Sequence, residues 1–204
     1  MSLGGYEMRK RENKNTIEVE GLIPRINEIN VLKREVFSWI RMIVGVVVVV
    51  TLIQRFVFMS AEVHGRSMQP TLEDGERVIL WSLLYSPSHT DIIIMEHTTG
   101  ENYVKRVIGV PGDQVVFQNG NLYLNGILVD EPFIVDSLAT GHFRLEDVCQ
   151  FQDCDVIPRG YFFVLGDNRG SSEDSRSFGL VHESQIQGRV VWRFWPFDRF
   201  GSVE

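Results

Sequence analysis

From Met42 to Ile53 the chain carries no charged residue, and Val46 to Val50 are five consecutive valines. Such a run by itself suits a buried strand or a buried helix equally well. The wider span from Trp39 to Met59 is 21 residues, and as a helix rising about 1.5 Å per residue it would reach about 31 Å, the thickness of a bilayer's hydrocarbon core. Arg41 and the Gln54-Arg55 pair interrupt it near its ends, where long cationic side chains snorkel to the headgroups. A core segment is the competing reading and would have to bury those charges. A cleaved signal peptide fits poorly, because its apolar stretch follows a short basic start rather than a long polar one. The segment therefore reads as a single membrane anchor over residues 36–59. Lys33, Arg34 and Arg41 flank one end, Arg55 and Arg66 the other, a balance that slightly favours an inside N-terminus.

Residues 1–35 are polar and mix Arg9, Lys10, Arg11 and Lys14 with Glu7, Glu12, Glu18 and Glu20. They read as an arm with a short helix around Ile26 to Val36. After Met59 the texture changes to short β-branched and aromatic runs between turn residues. Candidate strands are Ala61 to His64, Arg77 to Trp81, Ile92 to Glu96, Tyr103 to Val110, Val115 to Gln118, Leu122 to Leu124, Ile127 to Val129, Tyr161 to Leu165 and Gly188 to Trp195. Asn119-Gly120 and Asn125-Gly126 are hairpin signals, since type I′ turns need positive φ at both central residues. The expected fold is mainly β: an antiparallel, barrel-like domain over residues 60–204, carried on one N-terminal transmembrane helix.

Composition narrows the function. A formal net charge of −7 argues against a nucleic-acid partner, whose binding rests on neutralised phosphates. Two cysteines cannot build a disulfide scaffold or a four-cysteine zinc site. Cys149 and Cys154 could close a small disulfide loop if that part of the chain lies outside the cytoplasm.

Three segments could carry chemistry. Gly65-Arg66-Ser67-Met68-Gln69-Pro70-Thr71-Leu72 lies where a predicted strand ends in a turn, a place that can present a side chain to a groove. Ser67 is a nucleophile only if a base takes its proton; otherwise it is an ordinary turn residue. In Lys105-Arg106-Val107-Ile108-Gly109-Val110-Pro111-Gly112-Asp113, strand alternation turns Lys105 inward and Arg106 outward. A buried ammonium loses its proton more readily and becomes a general base; a solvated strand lysine does not. Gly166-Asp167-Asn168-Arg169-Gly170-Ser171-Ser172-Glu173-Asp174-Ser175-Arg176 follows an apolar strand and suits a loop folded on its own hydrogen bonds, able to back a lysine. Its acidic spacing fits no EF-hand, and the five histidines show no metal-ligand spacing, so no metal is expected. Aromatics on both faces of Val191 to Phe197, with Trp81 and Tyr85, suit either core packing or contact with lipid.

These three segments, in this order after one apolar span, resemble the type I signal peptidases, membrane-bound Ser-Lys endopeptidases. Ser-Met-x-Pro-Thr matches at Ser67 to Thr71, Lys-Arg-x-x-Gly-x-x-Gly-Asp at Lys105 to Asp113, and Gly-Asp-Asn-x-x-x-Ser-x-Asp-Ser-Arg at Gly166 to Arg176. The resemblance implies Ser67 as nucleophile and Lys105 as general base. Ser172 would orient the amine, with Asp174, Arg176 and Asp167 as structural support. The backbone N–H of Ser67 would give one oxyanion donor. Many members use a serine hydroxyl for the second, at a position that is Gly65 here, whose backbone N–H would take over. Substrate would lie as an added strand against Ala61, Glu62, Val63, His64 and Met68. The implied activity is removal of signal peptides from exported preproteins after small residues, Ala-x-Ala in type, with no cofactor. The implied setting is a cell membrane, or a thylakoid membrane where the source has one, crossed once with the N-terminus cytoplasmic and the catalytic domain outside. Two other readings remain open at this level: a soluble self-cleaving Ser-Lys repressor protease, and a non-catalytic membrane-anchored β domain that binds partners.

Overall fold

The computed structural model describes residues 31–51, 58–134, 136, 140–151 and 154–203. Residues 31–51 form one helix, α1. Among the described residues no helix is long and apolar enough to cross a membrane. Most of the expected arm, residues 1–30, and residues 52–57 of the expected anchor lie outside the described residues. The chain divides into two compact units, one ending at Leu52 and one beginning at Ile53.

In the second unit, short β-rich runs became antiparallel strands. One sheet has the order β1-β2-β11-β3-β4-β9-β10, with β12 paired to β11. Its members are β1 Phe58–Glu62, β2 Arg77–Trp81, β3 Ile92–Glu96, β4 Asn102–Gly109, β9 Tyr161–Leu165, β10 Val181–His182, β11 Ile186–Trp195 and β12 Gly201–Ser202. A smaller sheet has the order β7-β6-β5-β8, built from β5 Val115–Gln118, β6 Asn121–Leu124, β7 Ile127–Val129 and β8 Phe143–Arg144. Every described pairing is antiparallel. The expected barrel closure is not made by hydrogen bonds among the described strands: the larger sheet has two ends, β1 and β10. Two one-turn helices, α2 Leu145–Val148 and α3 Ser175–Phe178, complete the elements used below.

The hairpin signals act as expected. Asn119 and Gly120 join β5 to β6 with φ of 52° and 79°, and Asn125 and Gly126 join β6 to β7 with φ of 54° and 79°. Such turns twist with the strands they connect. The first strand begins and ends earlier than the expected Ala61 to His64, and β8, β10 and β12, each two residues long, gave no periodic signal.

Burial decides how the site is built. Val104 to Gly109 of β4 are all buried, so the strand is covered on both faces and not on one. On one side lies a core of Val63, Met68, Leu72, Val78, Leu80, Ile92, Ile94 and Val190. A second core, including Phe117, Leu122, Phe143, Ile157 and Phe163, joins the smaller sheet to the larger. Around β11 the aromatic run is only partly packed: Trp192, Trp195, Phe197 and Phe200 remain substantially exposed, as does Trp81.

Candidate active site

Ser67 sits in the turn after β1, and that turn is fixed from below and from the side. Met68 and Leu72 are buried in the core, and the Leu72 N–H donates to the Met68 carbonyl at 2.9 Å. The loop after β9 reaches across to it: Asn168 N–H donates to the Ser67 carbonyl at 3.0 Å, and Asn168 Nδ2 to the Arg66 carbonyl at 3.2 Å. Arg193 and Arg199 hold its far end, donating to the carbonyls of Thr71 at 3.1 Å and Pro70 at 3.3 Å.

Against this turn, β4 delivers Lys105, only 4% exposed. Its Nζ lies 2.9 Å from Ser67 Oγ. Burial lowers the lysine pKa to about 8, outweighing the upward pull of the Asp174 and Glu173 carboxylates; Arg176 adds to the lowering. Asp174 exerts the larger of these upward pulls, although its own charge is matched by other groups. Its Oδ1 accepts from Arg176 Nε at 2.8 Å, and its Oδ2 from Arg176 Nη2 at 2.8 Å and Gly166 N–H at 3.1 Å. The Tyr103 ring, two residues before Lys105 and so on the same strand face, lies 5.1 Å from Nζ and helps keep water away.

Gly166 is the hinge of this packing. A Cβ there would stand 2.2 Å from Ser172 Oγ and 2.5 Å from the Ser67 carbonyl oxygen, so the close approach of the two loops needs a residue without a side chain.

Several expected roles change. Ser172 lies beside this cluster, but its buried hydroxyl has no hydrogen-bond partner among the described residues, so the expected contact with the amine is not made. Asp167 does not back Lys105 either. It forms a buried pair with Arg106 on the opposite face of β4, accepting from Nε at 2.8 Å and Nη2 at 2.7 Å, and also takes the Thr71 hydroxyl at 2.5 Å. Arg106, expected to face solvent, is 1% exposed because the strand is covered on both sides. Gly65 cannot lend its N–H to an oxyanion hole in this arrangement, since that group donates to Asp74 Oδ1 at 2.8 Å. Its φ of +85° is a conformation that a serine side chain takes up only with strain. No described acceptor takes the Ser67 N–H, which leaves it free for that role.

The expected substrate residues divide. Ala61, Glu62 and His64 line a groove of about 600 Å³, whose other wall includes Ile94, Asn102, Tyr103 and Val104. Among the described residues β1 is the end of its sheet, and its outer edge has no strand partner. Val63 and Met68 are core residues and do not line it. Cys149 and Cys154 are joined in a disulfide, with Cα atoms 6.2 Å apart. Tyr103, Thr71, Asp74, Arg106 and Gly166 were not anticipated in their observed roles. Only Tyr103 carried a usable signal, its two-residue spacing from Lys105.

The sequence model of the family described as "Signal peptidase, peptidase S26" matches residues 36–195. The chain is 40% identical over 180 residues to Signal peptidase IB of Staphylococcus aureus (strain COL), covering 83% of this chain and 94% of that protein. It is 46% identical over 167 residues to Signal peptidase I of Bacillus caldolyticus, covering 77% and 90%. A crystal structure of a signal peptidase I from Enterococcus faecalis V583 aligns with a TM-score of 0.47 at 34% identity, covering 52% of this chain and 97% of that one.

Proposed function

The chain belongs to the signal peptidase family, peptidase S26, and is a serine endopeptidase; on that premise we propose that it removes signal peptides from exported preproteins through a Ser67–Lys105 dyad. The observation that carries the reading is the 2.9 Å approach of a buried amine to a hydroxyl in the turn after β1, a strand with no outer partner among the described residues.

An extended substrate segment pairs with β1 by main-chain hydrogen bonds and places alternate side chains in the adjoining groove. The neutral amine of Lys105 accepts the proton of Ser67 Oγ as the oxygen attacks the scissile carbonyl, and the Ser67 N–H donates to the developing oxyanion. The carbonyl–nitrogen bond breaks, the ammonium of Lys105 returns the proton to the departing amine, and an ester on Ser67 remains. A water molecule then gives a proton to the same amine and attacks the ester, the bond from the acyl carbon to Ser67 Oγ breaks, and the ammonium returns the proton to that oxygen as the acid product leaves. This is the Ser-Lys form of the nucleophile-and-base arrangement.

The reading places the enzyme in a membrane, with residues 36–59 as anchor, the N-terminus inside and the β domain outside. The uncharged run from Met42 to Ile53 supports it, as does the Cys149–Cys154 disulfide, which persists best outside the reducing cytoplasm. The exposed aromatics around Trp192, Trp195 and Phe197 suit a bilayer interface.

The test is incubation of the detergent-solubilised chain with a precursor bearing an Ala-x-Ala site, with product masses determined. A single cut after the second alanine is expected. Ser67→Ala and Lys105→Ala should each abolish it while leaving the domain folded, and the double variant should be little worse than either. Full activity in either single variant overturns the dyad.

A further inference from the structure

We propose that Glu173 is a positioning residue of the dyad: the Tyr103 hydroxyl holds its carboxylate as an unmatched negative charge beside the enclosed amine of Lys105, so that the pH at which cleavage begins is set partly from outside the dyad. This rests on the dyad reading above and deepens it, adding a residue that acts on the base without touching substrate.

The placement of Glu173 follows from its neighbours. Asp174 and Ser175 are buried and pinned to the sheet, Asp174 Oδ2 accepting the Gly166 N–H at 3.1 Å and Ser175 Oγ the Val164 N–H at 2.9 Å. The residue just before them is therefore carried to the mouth of the lysine site, where its side chain is exposed. There Tyr103 Oη donates to Glu173 Oε2 at 3.3 Å, across 70 residues of sequence. Tyr103 is itself held. His97, just after β3, stacks on its ring with centroids 4.7 Å apart and planes within 10°, and Phe178 of α3 meets His97 edge-on at 5.2 Å. The same Tyr103 ring lies 5.1 Å from Lys105 Nζ, so one side chain connects the carboxylate to the base.

Charge distinguishes Glu173 from the other groups around the amine. Those groups are Asp174, Glu173 and Arg176 from the loop after β9, Tyr103 on β4 itself and Ser67 from the turn after β1; Ile93, the partner of Lys105 on β3, brings no charge. Beyond Tyr103 stand His97 and Glu101. Arg176 binds both oxygens of Asp174 at 2.8 Å, whereas no cation among the described residues pairs with Glu173. Asp174 also caps α3, so changing it disturbs the loop. Glu173 caps nothing and can be altered alone. Its carboxylate favours the ammonium form of Lys105, and removing it makes the neutral base available at lower pH.

The experiment measures kcat/KM against pH for the solubilised full chain on one Ala-x-Ala peptide. Glu173→Gln keeps an acceptor for Tyr103 and removes the charge. It should move the acid limb to lower pH, raising kcat/KM at pH 6 about two- to fivefold and leaving the plateau little changed, the size expected of a partly exposed charge. Glu173→Lys should move the limb further the same way. In 1 M salt the difference between wild type and Glu173→Gln should shrink, because an exposed charge is screened. In a Tyr103→Phe background the Glu173→Gln shift should be smaller than in wild type, since the carboxylate is no longer held. An acid limb that coincides with wild type or moves to higher pH in Glu173→Gln, or a shift that Tyr103→Phe leaves whole, overturns this role and leaves the dyad intact. A wild-type profile with no acid limb, or no cleavage at all, overturns the dyad reading and this one with it.

Discussion

Lys105 Nζ stands 2.9 Å from Ser67 Oγ across 38 residues of sequence, and the amine is one of the most enclosed charged groups in the domain. Enclosure is what makes this lysine a base. Asp174, the largest opposing influence, is neutralised by Arg176, so loss of solvent dominates the balance. The pair is thus an arrangement in which stability is given up for reactivity, and that trade can be measured from both sides.

The pH dependence of kcat/KM follows directly. With the amine titrating at about 8, activity should be low at pH 6, rise tenfold per pH unit on the acid limb, and level off above pH 8. A profile flat from pH 6 to 9 in the free enzyme would exclude a titrating amine as the base.

The same shift predicts that the functional lysine costs folding energy. In the unfolded chain the amine titrates near 10.5 and in the folded one near 8, so the folded state is penalised in full below pH 8 and not at all above about 10.5. Lys105→Met should therefore be inactive yet more stable than wild type by roughly 2–3 kcal/mol at pH 7. Urea titrations at pH 7 and pH 10 should show that advantage shrinking as the pH rises.

Gly166→Ala should lower both stability and catalysis. The new methyl group meets the Ser67 carbonyl, which is backbone and cannot swing aside, and the turn carrying the nucleophile must move. Misplacement by about 1 Å costs about a hundredfold in rate. The expected result is that loss in kcat with the far-ultraviolet spectrum retained and the melting temperature lowered, since overpacking a buried site costs about 1–3 kcal/mol; near-normal kcat would show that the two loops do not need this contact.

On the other face of β4, Asp167→Asn should leave the Arg106 guanidinium buried without its counter-ion. Breaking such a pair from one side costs about 3–5 kcal/mol. Arg106→Met together with Asp167→Leu should cost clearly less than the two single changes added, the signature of a coupled pair in denaturant unfolding. Strict additivity would mean that the two side chains do not interact as described.

The strands Arg77–Trp81, Ile92–Glu96, Val115–Gln118, Ile127–Val129 and Tyr161–Leu165 were legible to the residue. So were both Asn-Gly turns, because alternation and turn chemistry depend on near neighbours in the chain. Ser67 and Lys105 could be named as partners through the three motifs, but no local property of either residue put them in contact. Tertiary structure alone decided that Arg106 is buried, since the cover on its face of β4 includes Phe133, from the loop after β7. It alone decided that Asp167 serves Arg106, and that Asp74, nine residues on, takes the Gly65 N–H. Sequence pattern specifies which way a strand's side chains alternate; what each face meets depends on segments far along the chain, and that meeting sets charge state, hydrogen-bond partners and therefore chemistry.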